Sequence, residues 1–557
     1  MFRVEDLRRS LTLLAVALAI PVAAVAQTGS IAGEVADETG GVLPGVTVEA
    51  TSEELIGGAR VTVTDGSGLY TIEALVPGTY TVTFTLPGFS TFVRDGVELQ
   101  TGFTANVDGQ LAVGSIEETI TVSGAAPIID VQNVVTQENL TRDALDVLPT
   151  GKTYWGYAAL TVGMTTNIAG GGHDVGGSVG EGWGHVEIHG SSASDGSVEW
   201  DGMSINNNIT DGGGSSKQFF MNQAAIQEIV VSTANMSSEQ PYGGVGINAI
   251  PKEGGNTFSY YVNVSGTNGD LQATNVDDNL ITRGVNPKAK NKKIWDYSVG
   301  IGGPIVNDKV WFYTAHRWWG AQNFQAKTNY NLTPHTPFYT PDMDRPTWTD
   351  FWNQDNGIRF TYQASDRHKL TLGQNFQSNC ACHFWTQYGV ADNDAAVDYT
   401  YYPINLTQAT WTFPVNNSLL IEAGGSFLRN LTSPRPQESV LPTDIAHFNF
   451  VPFVNYQAIG FNTCNPCLYG NEHDFPTQVY RGSVSYVTGT HNFKVGFNTR
   501  NAQETHGVSY MNNPLRYNFY MQKSYGGAMD YPFSVTQYGT PRTSRHTSND
   551  LGIYAQD

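Results

Sequence analysis

The chain has 557 residues, enough for several domains, and a formal net charge of −21 from 30 Lys+Arg against 51 Asp+Glu. That balance excludes nucleic acid and anionic lipid headgroups as partners held by a basic surface. With 60 Gly, 27 Tyr, 26 Phe, 11 Trp and only 15% charged residues, the composition favours strands and turns over helices, so a mainly β exported protein is expected.

At the N-terminus Arg3, Arg8 and Arg9 precede an apolar run from Leu11 to Ile20 and the small-residue pattern Ala24-Val25-Ala26 before Gln27. This is the layout of a secretory signal over residues 1–26, cleaved after Ala26. The apolar run is shorter than the roughly 20 residues that span a bilayer. No Cys follows the cleavage point, which argues against a lipoprotein anchor.

Residues 27–114 carry short alternating runs separated by turn signals: Thr39-Gly40-Gly41, Pro44-Gly45, Asp65-Gly66, Pro77-Gly78 and Pro87-Gly88. The spacing is that of a small β-sandwich, with Val46, Val48, Tyr80, Val82 and Phe84 on inward faces. The order G-x-V, LPG, TD-x-x-G-x-Y, PG-x-Y-x-V and PGF resembles the carboxypeptidase regulatory-like domain, a transthyretin-like sandwich. Its sequence has no short-spaced His and Glu pair for zinc, so the resemblance implies a structural or docking module and no peptidase.

Residues 125–255 mix strands with Gly-rich loops, as expected of an α/β domain. Gly151-Lys152-Thr153 imitates a phosphate loop, but Asp146 stands where its first Gly should be, and nucleotide binding is rejected. His173, Asp174, His185 and His189 could ligate a metal, yet their spacing lacks a rigid frame and fits a solvated loop better; no cofactor is expected.

Three segments here, "LPTGKTYWGYAALTVGM", "SVEWDGMSINNN" and "IQEIVVSTANMSSEQPYGGVGINAIPKEGGNTFSYYV", resemble the plug of TonB-dependent outer-membrane transporters of the Oar-like group. At the exit from the plug that family has Thr-Lys-Ser-Gly, where this chain has Pro251-Lys252-Glu253-Gly254. Because Pro cannot donate to a ladder, the strand is expected to stop or lie at an edge there. Between sandwich and plug, in residues 115–124, "EETITVSG" resembles the TonB box, carried by Glu118, Thr119, Ile120, Thr121 and Val122. The resemblance implies that TonB, the inner-membrane energy-coupling protein, pulls on it. An exposed β-prone strand belonging to no sheet would suit strand addition by a partner; the plainer alternatives are a last sandwich strand or a linker.

From residue 256 to 557 alternating strands pair across short polar turns: "WDYSVGIGG" with "VWFYTAHRW", "GIRFTYQ" with "KLTLGQNF", "LTQATWTF" with "LLIEAGGSF", and "QVYRGSVSYV" with "FKVGFN". Long loops, roughly 267–293, 320–355, 379–403 and 429–477, separate them. Short turns at one end and long loops at the other are the signature of an outer-membrane β-barrel, and Trp295, Trp311, Trp318, Trp319, Trp411 and Tyr486 are placed where interfacial girdles belong. "GGPIVNDKVWFY" resembles an early barrel hairpin of the same group, and "LGIYAQD" a later strand. Such barrels close at 22 strands, against about ten counted here, so an incomplete antiparallel transmembrane barrel and a C-terminally truncated chain are expected.

Cys380, Cys382, Cys464 and Cys467 lie in two of the long loops. An oxidising compartment favours disulfides, with three connectivities open and a four-thiolate metal site as the alternative. The small ring closed by a 380–382 bridge strains disulfide geometry, so bridges between the two pairs are expected. The implied function is import across the outer membrane, without covalent chemistry, of an extracellular glycan, peptide or metal chelate, with TonB and outer-membrane lipid as partners. Adhesion or a secretion-associated surface role without import is the alternative. Trp and Tyr in "HRWWGAQNFQ" and "CHFWTQYG" suit stacking on sugars, or ordinary packing.

Overall fold

The structure is a computed structural model. It describes residues 29–557 except 53–54, 56–58, 115–118, 124–135, 169–176, 207–218, 284–289, 450–453, 457–472, 510–514, 538–541 and shorter interruptions. Ala24, Ala26, Gln27, Glu118, His173, Asp174, Cys464 and Cys467 therefore lie outside the described residues.

The first unit holds β1 (Gly29–Asp37), β2 (Thr47–Thr51), β3 (Arg60–Val63), β4 (Leu69–Leu75), β5 (Gly78–Thr85), β6 (Thr91–Leu99), β7 (Thr104–Asn106), β8 (Gly109–Leu111) and β9 (Thr119–Ser123). One sheet runs β4-β1-β7, with β8 also on β1, and the other runs β3-β2-β5-β6-β9. Strand alternation puts Val48, Tyr80, Val82 and Phe84 between them, each fully buried, as is Val46 just before β2. Asp37 and Asp65 build two of the turns: each carboxylate accepts backbone N–H groups, from Thr39 and Gly41 in the first case and from Ser67 and Leu69 in the second.

β9 corrects the expectation that this segment belongs to no sheet. It pairs in parallel with β6, from Thr91 opposite Thr119 to Asp95 opposite Ser123, and is the edge strand of the sandwich. Its alternating Thr-Ile-Thr-Val suits the extended backbone, and β6 offered an open edge for it to cover.

The second unit holds β10 (Thr136–Thr141), α1 (Arg142–Val147), α2 (Tyr154–Ala158), β11 (Met164–Ile168), β12 (Gly184–Ile188), β13 (Ser197–Trp200), β14 (Met203–Ser204), β15 (Ile226–Ala234) and β16 (Gly246–Pro251). Its sheet runs β10-β15-β16-β13-β14, while β11 and β12 form a separate hairpin. β16 is buried along its whole length, has strands on both sides, and ends at Pro251, where a ladder donor is missing.

The third unit is a ten-stranded antiparallel sheet. Its strands in order are β17 (Ser259–Asn268), β18 (Asn291–Val306), β19 (Val310–Asn331), β20 (Pro341–Ser365), β21 (His368–Phe384), β22 (Val397–Asn416), β23 (Leu419–Pro436), β26 (His473–Thr488), β27 (His491–Ser509) and β30 (Arg542–Gln556). A short helix, α3 (Asp278–Thr282), lies in the β17–β18 connection, and β24 (Ala446–Asn449), β25 (Val454–Tyr456), β28 (Leu515–Ser524) and β29 (Gly527–Gln537) form a smaller sheet of loop segments. The four hairpins read from the sequence are present, but β19 and β20 reach well into stretches expected as loop. Polar alternation continues the ladder beyond the apolar band, so strand and membrane span are not the same length.

One face of this sheet carries exposed Tyr297, Val299, Ile358, Phe360, Leu370, Leu372, Val484 and Val495, and the other carries buried Arg317, Asp355, Arg359, Gln377 and Arg481. An apolar face backed by a polar, buried one is the arrangement of a transmembrane β-barrel wall, and the sheet is called the wall below. Among the described residues no helix is long and apolar enough to cross a membrane.

Two expectations fail here. Trp318 lies on the outer face, but its neighbour Trp319 faces inward and is 4% exposed, as strand alternation requires; Trp311 is likewise buried and donates to Asn256 Oδ1 at 2.8 Å. Cys380 and Cys382 are bonded to each other within β21, not to the other pair. Their Cα atoms are 5.2 Å apart, inside the range that a disulfide spans; two steps along a regular strand would give about 6.7 Å, so β21 is locally shortened here, next to the register shift after Ala381.

Candidate functional site

The candidate site is the contact between the second unit, the part expected from its sequence to be a plug and called the plug below, and the inner face of the wall. Positions on β18 to β22 two residues apart share that face, so one residue type in a row becomes a surface. Arg317 sits at its centre, fully shielded. It pairs with Asp296 at 2.8 Å, donates to the carbonyls of Lys152 and Met221 at 3.2 and 3.3 Å, and lies 4.3 Å from the Trp319 ring. Trp319 in turn donates its indole N–H to Glu181 of the plug at 2.8 Å.

A second group surrounds Asp355. Its carboxylate accepts from Asn222 of the plug at 2.8 Å and from Gln377 and Asn375 of β21 at 2.7 and 3.1 Å. Gln377 also exchanges hydrogen bonds with the backbone of Phe220, and Tyr313 donates to the Ala224 carbonyl at 2.7 Å. The plug's own chain thus supplies partners that a buried polar wall requires.

The third group holds the plug where it leaves for the barrel. Arg359 Nη2 is 2.8 Å from Asp201 and 3.4 Å from Glu253, and Lys369 Nζ is 2.6 Å from Glu253. Arg481 donates to the carbonyls of Gly202 and Asp201 at 2.7 and 2.9 Å. Lys494 pairs with Glu239 at 2.7 Å. Although burial works against it, Lys369 and Arg359 hold the Glu253 carboxyl below its ordinary range.

Sequence reading noted Glu253 only as a departure from the family pattern. In the structure it ties the exit segment to the wall. Beside it, Lys252 lies over the rings of Tyr261 and Tyr313 at 5.2 and 5.7 Å, and burial lowers its pKa to about 8. Gly254 approaches β19 so closely that a Cβ there would lie 2.3 Å from the Phe312 carbonyl oxygen.

The phosphate-loop imitation has a structural role. Lys152 takes a positive φ of 53°, its carbonyl accepts from Arg317, and Thr153 caps α2 by accepting from the Gly156 N–H at 3.2 Å. Of the aromatic residues in the two loop motifs, Trp319 and Phe384 are packed in the core shared by plug and wall. Of the candidate metal residues, His189 closes the turn after β12 at a φ of 52°, and among the described residues no group of His, Cys, Asp and Glu could hold a metal ion.

Among the described residues, hydrogen bonds between the sandwich and this plug gather at the turn holding Thr101. The Thr101 N–H donates to Glu228 of β15 at 3.2 Å, and the Thr101 carbonyl accepts from Gln137 and Asn139 of β10 at 3.3 and 3.2 Å.

Parts of this chain are similar to known proteins. Residues 30–112 match the carboxypeptidase regulatory-like domain. Over 323 residues the chain is 30% identical to the TonB-dependent transporter Oar of Myxococcus xanthus, covering 55% of this chain and 28% of that protein. The chain thus spans well under a third of that relative's length. Similar solved structures include the outer membrane transporter YddB from Escherichia coli, at 12% identity and a TM-score of 0.48 over 75% of this chain and 54% of that one. The ferric yersiniabactin uptake receptor FyuA from Yersinia pestis is similar at 9% identity and a TM-score of 0.45 over 76% and 61%.

Proposed function

We propose that this chain belongs to a TonB-dependent outer-membrane receptor that imports an extracellular glycan, peptide or metal chelate into the periplasm. The observation that carries the reading is the plug seated on the polar inner face of a barrel wall through Arg317, Arg359, Lys369, Arg481 and Lys494. Such a seat closes the lumen and is built from separable polar contacts, so force applied to the plug can open it without unfolding the wall. The 30% identity to a TonB-dependent transporter supports the same reading. TonB acting on residues 118–122 supplies the force, and no residue performs covalent chemistry.

The test is uptake of candidate labelled ligands by cells with and without TonB. Uptake that stops when TonB is removed supports import; binding at the surface with no uptake in either strain opposes it.

A further inference from the structure

We infer that two copies of this chain pair side by side in the membrane through a polar patch on the outer face of β19 to β22. Cross-strand register carries one row from Val262 through Val299, His316, Asn356 and Phe376 to Asn405. The next row toward the long loops runs through Val264, Tyr297, Trp318 and Gln354. Strand alternation puts both rows outside, because Arg317, Asp355, Gln377 and Leu406 beside them face the plug. From Ile305 beside the short turn to Trp295, β18 makes about one membrane crossing, for which a tilted strand uses about 9 to 11 residues. Val299, opposite His316, lies near the middle of that crossing.

Acyl chains offer no hydrogen-bond partner at that depth. His316 is satisfied sideways, with Nδ1 2.9 Å from Asn356 Oδ1 and Nε2 3.1 Å from Thr314 Oγ1. Among the described residues the Asn356 amide nitrogen, the Gln354 amide and Asn405 Oδ1 have no partner, and neither has the indole N–H of Trp295, whose ring lies 5.9 Å from that of Trp318. Polar groups turned toward hydrocarbon are costly and mark a place of contact. The occupant is a second copy for three reasons. The membrane holds every copy in one orientation and at one depth, so about a two-fold axis along its normal a patch near mid-depth meets its own counterpart. Asn and Gln side chains both donate and accept, which makes the patch complementary to itself. It holds no Asp, Glu, Lys or Arg, so two chains that each carry a net charge of −21 meet there without opposing like charges. Trp318 and Phe376, 49% and 55% exposed, flank the amides as anchors, and a shallow cavity of about 310 Å³ lined by Val264, Tyr297, Trp318 and Gln354 gives an opposing side chain room to enter.

The test is oxidative cross-linking of the intact protein in outer membranes, with Gln354→Cys as reporter and the parent as background. A disulfide-linked band at twice the monomer mass, well above the parental level, is expected. Val484→Cys, exposed on the same face four strands along, is expected to stay at the parental level. Adding Asn356→Leu/Asn405→Leu to the reporter should lower its dimer yield by about tenfold, with the heat-dependent gel shift of the folded barrel unchanged. A reporter cross-linked no better than the parent or than Val484→Cys, or a yield that the leucines leave undiminished, would overturn the inference. A conjugate of the reporter with a different protein would overturn the choice of a second copy. Where the leucine variant fails to fold, the comparison of the two cysteine reporters decides alone.

Discussion

The plug is held on two sides by unlike means. Against the wall it meets buried cations that find plug carboxylates and backbone carbonyls; against the sandwich, among the described residues, it meets the Thr101 turn, whose main chain is held by Glu228, Gln137 and Asn139. A buried ion pair is costly to break by removing one partner, about 3–5 kcal/mol, whereas a neutral hydrogen bond contributes about 1 kcal/mol net. The difference teaches where the plug is fixed and where it is handled: the wall sets its resting place, and the sandwich offers a light grip.

The largest effect is expected at Arg359. Arg359→Ala leaves Asp201 and Glu253 short of their shared partner inside the wall, and should cost about 3–5 kcal/mol of plug stability, read as faster hydrogen exchange in β13 and β16. A loss under 1 kcal/mol would mean that water replaces the guanidinium and that the wall is not the stronger contact.

Glu228 sharpens the other side of the comparison. Burial, the largest influence, pushes its pKa up to about 7 despite the Thr101 hydrogen bonds that favour the charged form. The folded state therefore keeps a proton that the unfolded chain gives up near pH 4.5, and stability present below that pH is lost as the pH rises through 7. Between pH 4.5 and 8 the loss should approach 3 kcal/mol as an order of magnitude. Glu228→Gln should flatten the profile in denaturant titrations at those two pH values; an unchanged slope would assign the pH dependence elsewhere.

Gly254→Ala comes next. The added Cβ meets backbone, which cannot swing aside, so the exit strand should shift at a cost of about 1–3 kcal/mol in thermal unfolding. The smallest effect belongs to Arg500, whose ion pair with the half-exposed Asp550 is solvent-screened. Arg500→Ala should change stability by less than about 1 kcal/mol, and a larger change would show that charge pairs on the wall do not follow burial.

What could be read in the sequence was local. The hairpin turn after β18 is announced by Asn307-Asp308-Lys309 between alternating runs, and the sandwich core by Val48, Tyr80, Val82 and Phe84 at a period of two. What could not be read depends on which distant element comes alongside. The partner of β9 is a strand edge left open by the sandwich fold, and the partners of Glu253 lie more than a hundred residues away at Arg359 and Lys369. Trp318 and Trp319 look alike in sequence, and a one-residue step decides that one faces lipid and the other the plug. The Cys380–Cys382 bridge was legible only as a cysteine pair, because it depends on a local departure of β21 from regular strand spacing that brings the two Cα atoms to 5.2 Å.

The central claim is that force on the segment before the plug drives import. The direct measurement is uptake of labelled ligand by cells expressing the intact protein or a deletion of Glu118 to Val122, with surface binding and protein abundance measured in parallel. The deletion removes most of an edge strand, so the sandwich core and the plug seat should persist, shown by protease resistance equal to that of the parent. Uptake falling to the level of cells without TonB, with surface binding unchanged, is the expected result; undiminished uptake by the deletion would contradict it.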